Sequence, residues 1–397
     1  MDEDDEEEAY DFVPDVSEEC RRYMDTFHVE SNSSAIEHGK QRFHALFEEP
    51  DYRHGLQELS REMLNYFSVN RQIPDEYNRK ISSMNEIYRI IRKHRRWKFK
   101  LFPSGSTVTG LASKGSDLDL TIWMPNARKY FATESEAAFN ILRIVRHHLL
   151  TDQEISTRLR SVLYVEAKVP VLRIRWKNGL EVDLCCCTDV YVSGIQNSYL
   201  IRGFSLWDSR FAPLCMFVKE WSFRNDVKNP KRGGFNSYAI VLLVAHFLQC
   251  GVSPPILPNL QKLFPNKYAR NCDGEVLSPS VLDFDDKRFS RNCPELEKNT
   301  MSLAELFILF LDYYSIFNFG THYICMRDAA ARRRDGGDDS LRISDVFSAF
   351  IRDPVDDHNP GRTVRDIEYL QNRFRRTLRL FLPEEEFPSL AKLLCSH

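Results

Sequence analysis

Asp117 and Asp119 lie two positions apart, Asp183 follows in a later apolar run, and the pair Gly105-Ser106 precedes all three. In a strand, side chains two apart share a face. The stretch DLDLTIWM alternates as a strand should, so it presents Asp117 and Asp119 side by side. Two neighbouring carboxylates repel unless a cation sits between them, and hard oxygen ligands suit Mg²⁺ or Mn²⁺. Asp183, inside LEVDLCCC, reads as a lone carboxylate on an apolar strand; a shared metal site would supply the partner it needs. Two metals on such a set would lower the pKa of an attacking hydroxyl and stabilise a leaving pyrophosphate. Gly105 and Ser106 would offer a triphosphate close-approach backbone amides and a hydroxyl. A Gly-Ser pair with D-x-D also fits a solvated acidic turn. The third aspartate, beyond an intervening helix, is what favours a metal site.

Those groups need elements to hold them. Residues 17 to 96 read mostly as helices, with Leu56, Leu59, Met63 and Leu64, then Ile81, Met84, Ile87, Tyr88 and Ile91 at helical spacing. Near residue 97 the period changes. KFKLFPSGS is a short apolar run ending in Gly and Ser, SEAAFNILRIVRHHLL is an amphipathic helix, and VLYVEAKVPVLRIRW and LEVDLCCCTDV are strand-like around a Lys177-Asn178-Gly179 hairpin turn. After Asn197 helices return, at Pro213–Phe223, Ser237–Gln249 and Leu303–Phe317, the last with Leu306, Phe307, Phe310, Leu311 and Tyr314 on one face. Residues 328 to 340 (DAAARRRDGGDDS) read as a surface loop. The predicted fold class is α+β, with a small mixed-sheet domain inserted into a helical domain built from both ends of the chain. The boundaries expected are an acidic disordered tail at 1–15, N-terminal helices of the helical domain at 16–96, the sheet domain at 97–195 and the main helical domain at 196–385.

Composition narrows the class. The chain has 397 residues, 43% of them hydrophobic, enough for real cores. Its net charge is −3, but without the seven acidic residues 2–8 it becomes +4, a weak pointer to a polyanionic partner. Ten cysteines include no CxxC pair, which disfavours a zinc finger. The acidic start lacks the basic region of a signal peptide. The longest mainly apolar stretch, Tyr238–Cys250, is too short to cross a bilayer. A reduced, soluble, cytoplasmic protein with no membrane partner is expected.

Three segments carry a resemblance. SGSTVTGLASKGSDLDLTIW resembles the signature of the DNA polymerase β-like nucleotidyltransferases. RGGFNSYAIVLLVAHFLQ resembles their nucleotide-recognition helix. IRDPVDDHNPGRTV resembles the base-recognition loop of the noncanonical poly(A) polymerases and terminal uridylyltransferases. Their order and spacing match from about residue 55 to 380. SLAELFILFLDYYSIFNF followed by MRDA is similar to cytoplasmic poly(A) polymerases of the germline-development type. The resemblance implies a polymerase β-like catalytic domain inserted in a helical PAP-associated domain. It also implies template-independent extension of an RNA 3′ end from a nucleoside triphosphate. Asp117, Asp119 and Asp183 would be catalytic and hold Mg²⁺ or Mn²⁺, and Gly105 and Ser106 would hold the phosphates. Asn197 would contact the ribose and base edge, Lys219 and Ser237 the triphosphate, and Tyr238 would stack on the base. Asp353 and His358 belong to the base-recognition loop. A second basic residue often follows the lysine by four positions; here Phe223 stands there, with Arg224 as the candidate substitute.

Taken singly, these residues have plainer roles. Tyr238 fits a core aromatic, Lys219 a snorkelling lysine, Asn197 a helix cap and His358 an exposed loop histidine; joint occurrence with the carboxylates favours function. A histidine at this place in the loop marks uridylyltransferases and favours UTP. Three residues separate Pro354 from His358, as in the adenylyl pattern, where the uridylyl pattern has four. The Tyr-Tyr helix and MRDA agree, so ATP is the reading and UTP the alternative. No RNA-recognition module stands out. Arg92, Lys93, His94, Arg95, Arg96, Lys98 and Lys100 could grip a phosphate backbone or simply end a helix, and an RNA-binding protein partner is expected to choose the RNA. A nucleotidyltransferase acting on another acceptor is disfavoured by the base-recognition loop, and an inert scaffold by the intact carboxylates.

Overall fold

The computed structural model describes residues 27–94, 97–125, 127–166, 169–189, 192–268, 299–334, 347–383 and 385–395. The acidic tail 1–15, with Arg95 and Arg96 of the basic cluster, lies outside them. The chain enters through three helices, α1 (Ser33–Glu48), α2 (Pro50–Asn70) and α3 (Pro74–Arg92). Asn32 caps α1 with its side chain, and proline opens α2 and α3, where a missing N–H costs nothing and the fixed φ suits a helix. Then come β1 (Lys100–Ser104), a helical turn at Ser106–Thr109, β2 (Leu118–Trp123), α4 (Glu134–Thr151), β3 (Leu159–Val165), β4 (Val171–Trp176) and β5 (Glu181–Cys187). The expected hairpin joins β4 to β5: Trp176 N–H donates to Leu180 O, and Gly179 takes φ +89°, a conformation that favours glycine.

These strands form one mixed sheet in the order β1-β2-β5-β4-β3, with β2 and β5 parallel and the other pairs antiparallel. The α+β reading holds. The parallel register sets Asp119 directly beside Asp183. In β4 and β5 burial alternates residue by residue, so Cys186 is buried while Cys185 and Cys187 are half-buried. Ile141, Leu142 and Val145 of α4 cover the sheet together with Ile87, Ile90 and Ile91 of α3. The apolar face of α3 therefore joins the sheet core, although residues 16–96 read as part of the helical domain.

The second core is helical. It joins α1 and α2 to α5 (Ser193–Trp207), α6 (Phe211–Arg224), α7 (Ser237–Cys250), α8 (Leu303–Ile316) and α9 (Ile367–Arg379). Leu306, Phe307, Phe310, Leu311 and Tyr314 are all buried in it, as their spacing predicts. A capping box of Ser302 and Glu305 opens α8. Helix α5 is buried on nearly every face, as a helix between two cores must be. Its Ile195 and Tyr199 pack with Phe102 and Trp123 of the sheet, while Leu200, Ile201 and Phe204 enter the helical core. Asn197 and Ser198 thereby stand at the seam.

The reading of 328–340 as loop needs correcting. Ala330–Arg333 is a strand, β7, at one edge of a three-stranded sheet whose middle strand is β6 (His322–Cys325) and whose other edge is β8 (Ile351–Arg352). Ala330 is buried, and the ladder to β6 holds this polar stretch extended. Residues 335–340 lie outside the described residues. Asp117 also departs slightly from expectation: it immediately precedes β2 and is exposed.

Candidate active site

Residues from both cores close around a cavity of about 710 Å³. At its sheet end β1 stops and Gly105 turns the chain with φ +65° and ψ −151°. A Cβ there would lie 2.2 Å from Asp119 Oδ2, so only glycine lets the backbone pass this close to the carboxylate. The turn is fastened from α5. Gly105 N–H donates to Ser198 Oγ (2.9 Å), Arg202 Nη1 to Val108 O (3.1 Å) and Ser205 Oγ to Thr109 O (2.7 Å). Lys80 of α3, buried, donates to Thr107 Oγ1 (3.2 Å) and Ser116 Oγ (2.9 Å), tying the turn to the residue before Asp117.

Asp117, Asp119 and Asp183 all line this end. Burial, then the negative charges of Asp117 and Asp183, push the Asp119 carboxyl up to about 7. A nearby positive charge would relieve that repulsion. The donors are all carboxylate oxygens, two of them cross-strand neighbours, which fits a hard divalent ion. Asp183 is not the lone carboxylate the sequence suggests. Arg173, opposite it on β4, grips it with Nε on Oδ1 (2.8 Å) and Nη2 on Oδ2 (2.7 Å).

The helical end carries the other predicted residues. Asn197, Lys219, Ser237, Tyr238 and His358 line the cavity beside Gly105 and Ser106. Asp353 lies beneath, fully buried, accepting from Asn197 Nδ2 (3.0 and 3.2 Å) and the Tyr238 hydroxyl (2.9 Å). Burial, then Asp356, raises the Asp353 carboxyl, and burial beside Asp353 raises the Tyr238 hydroxyl well above its usual range. Asn197 Oδ1 is buried with no hydrogen-bond partner among the described residues, an acceptor open to a hydroxyl or amine donor. Asn197 is therefore held by Asp353 inside α5 and is not the cap of that helix.

His358 Nδ1 bonds Asp356 and lies 3.6 Å from Asp353 Oδ2. The Asp356 bond, more than burial opposes it, holds the imidazole above its ordinary pKa. Asn359 braces the loop: its Oδ1 accepts from Ile351 N (3.0 Å) and Gly361 N (2.8 Å), and its Nδ2 donates to Ala349 O (2.9 Å). Asp357, at φ +64°, pairs with Arg327 (2.6 Å) and Arg352 (2.7 Å).

On the lysine side, Lys219 is half-buried, and burial lowers its pKa. Arg224 is occupied by Glu220 at 2.8 Å. Lys228 instead lies over the Phe223 ring, 5.2 Å from its centroid. It is half-buried, and its ammonium makes no ion pair among the described residues. Burial, then the charge of Lys219, lowers its pKa.

Lys80, Arg173 and Ser198 escape sequence reading because each acts across elements; Arg173, two positions into an alternating strand facing Asp183, left the clearest trace.

Residues 59–206 match the family described as "Poly(A) RNA polymerase, mitochondrial-like, central palm domain", and residues 302–359 match "Cid1 family poly A polymerase". The mouse poly(A) RNA polymerase GLD2 is 28% identical over 311 residues, 78% of this chain and 60% of that protein. The chain thus spans about three fifths of the length of that relative. The solved GLD-2/RNP-8 complex matches with a TM-score of 0.68 and 27% identity, over 85% of this chain and 98% of that one. A structure of Cid1, named for its RNA terminal uridylyl transferase activity, shares the fold at a TM-score of 0.63 and 22% identity, over 86% and 99% of the two chains.

Proposed function

We propose that this chain, which belongs to the noncanonical poly(A) polymerase and terminal uridylyltransferase family, adds AMP residues from ATP to the 3′ end of an RNA without a template. The observation that carries the reading is the pairing of Asp119 with Asp183 across parallel strands, with Asp117 alongside, at the foot of a cleft whose far wall is Asn197, Tyr238 and His358. In this reading Asp117, Asp119 and Asp183 are the catalytic carboxylates and hold Mg²⁺ or Mn²⁺. A divalent ion held by these carboxylates would supply Lewis-acid help to the attacking 3′ hydroxyl and to the leaving pyrophosphate.

The protein's own groups do the positioning. The Ser106 hydroxyl, at the close approach that Gly105 allows, meets the phosphates nearest the carboxylates, and Lys219 and Ser237 meet the rest. The unpartnered Asn197 Oδ1 accepts from the ribose hydroxyl. Tyr238, its hydroxyl anchored on Asp353, offers its ring to the base; such stacking contributes on the order of 1–3 kcal/mol. Residues 97–195 form the catalytic domain, joined by the buried face of α3, and 196–385 with α1 and α2 form the nucleotide-recognition domain.

A second reading has its own observation: His358 faces the cleft and favours the protonated, donor form, which suits the carbonyl edge of uracil. The shorter loop and the GLD2 relatives support ATP. Purified protein, a labelled oligoribonucleotide, Mg²⁺ and each of the four nucleoside triphosphates separate the two. Extension with ATP above UTP is expected; UTP preference that disappears in His358→Ala supports the uridylyl reading, and no extension with any triphosphate overturns both. As the solved relative is a GLD-2/RNP-8 complex, we infer a protein partner that selects the RNA. No described helix is long and apolar enough to cross a membrane, and a cytoplasmic site of action fits the reading.

A further inference from the structure

Arg173 holds a position that the proposed chemistry leaves unexplained. It stands opposite Asp183 in the β4–β5 register and takes both oxygens of that carboxylate, at 2.8 and 2.7 Å. A two-pronged guanidinium–carboxylate pair is among the stronger hydrogen-bonded contacts in proteins, and this one is sheltered, with the side chains 33% and 17% exposed. The same Nε lies 3.0 Å from Glu181 Oε1, two residues along β5 on the same face. The guanidinium thus has two carboxylate seats, one a residue assigned to the divalent ion and the other shared with Arg175, whose Nε lies 2.5 Å from Glu181 Oε2.

From this geometry we infer that Arg173 is a resident counter-cation for the carboxylate cluster. It neutralises Asp183 in the metal-free protein and shifts towards Glu181 when a divalent ion takes Asp183. The inference rests on the proposed metal-dependent reading of the site and goes beyond it. Three carboxylates line one end of the cleft, Asp119 and Asp183 as register partners, and like charges so close repel one another. A fixed cation on the third relieves that repulsion without closing the cleft. The consequence is competition: the ion and the guanidinium seek the same oxygens, so Arg173 weakens metal binding while it stabilises the empty site. Arg173 is a positioning residue here, acting through Asp183.

The probe is Mn²⁺ alone, with its affinity for the full chain read by electron paramagnetic resonance of the free ion and no nucleotide present. Thermal midpoints are taken in EDTA. Arg173→Gln should bind Mn²⁺ about tenfold more tightly and melt earlier in EDTA, with Arg173→Lys between it and the wild type. Glu181→Gln removes the second seat and should move affinity the other way, and it serves also if Arg173→Gln does not fold. Unchanged or weaker Mn²⁺ binding in Arg173→Gln, or unchanged or tighter binding in Glu181→Gln, overturns the inference. RNA extension by the wild type is scored separately. If the wild type extends RNA while these affinities stay fixed, only the Arg173 assignment falls; if it binds Mn²⁺ yet extends nothing, the tailing function falls.

Discussion

Asp119 concentrates the tension of the site, because burial and two like charges oppose its ionisation. Asp119→Asn keeps the shape and removes one charge. The metal-free protein should melt roughly 2–4 °C higher by calorimetry, and RNA extension should be lost; a lower midpoint would contradict the proposed repulsion. His358 supplies the pH dependence. Its folded pKa lies above the unfolded value, chiefly through the Asp356 bond. The native state therefore binds the extra proton over the window between the unfolded value, near 6.5, and the folded one. The stability His358 adds is fully present below that window and fades as pH rises through it. Denaturant midpoints of the wild type and His358→Gln should accordingly differ most at pH 6 and converge by pH 9. At this scale the sequence was informative where chemistry is local: D-x-D on a strand and a third aspartate in an alternating run point to one face. It left only a faint trace of Arg173, whose partner is a cross-strand neighbour, and none of Asp353 as the hidden anchor of Asn197 and Tyr238, since hydrogen bonds between distant helices and loops leave no periodic trace.

The turn after β1 and the loop after α6 are the elements whose geometry the account leans on. Gly105→Ala would drive a methyl into the Asp119 carboxylate at a backbone angle that L-residues avoid. A loss of about 2 kcal/mol or more is expected, with RNA extension abolished; a variant of wild-type stability and rate would show that the close approach is not needed. On the other element, Lys228 lies on Phe223, and the charge of Lys219, which lines the cleft, is close enough to lower the Lys228 pKa. Lys228→Ala should raise KM for ATP about tenfold with little change in kcat, and adding Phe223→Lys to it should bring KM back. Steady-state kinetics on the single and double variants checks both. The helices and the β4–β5 hairpin were legible because apolar period and turn chemistry act locally. The small sheet β6–β8 was not, since Ala330–Arg333 has the composition of a loop and is extended only by its ladder to β6.

At the scale of the molecule, function depends on two cores meeting along α5, which serves both. The sheet core aligns the carboxylates, the helical core holds the loop proposed to recognise the base, and Ser198, Arg202 and Ser205 join them at the Gly105 turn. The sequence marked the strand-rich middle flanked by helices and grouped α3 with the helical domain, while its Ile87, Ile90 and Ile91 pack in the sheet core: amphipathic spacing shows that a helix has a buried face but not which core receives it. Substitutions at the seam should therefore impair extension more than stability, as both cores stay intact. The most direct measurement is extension of a labelled oligoribonucleotide with ATP and Mg²⁺ by wild type and Asp183→Ala, each confirmed folded by its melting curve. The account predicts a lengthening ladder of products from the wild type and none from the variant. Equal extension by both would contradict the convergence of Asp183 with Asp117 and Asp119 on one catalytic site.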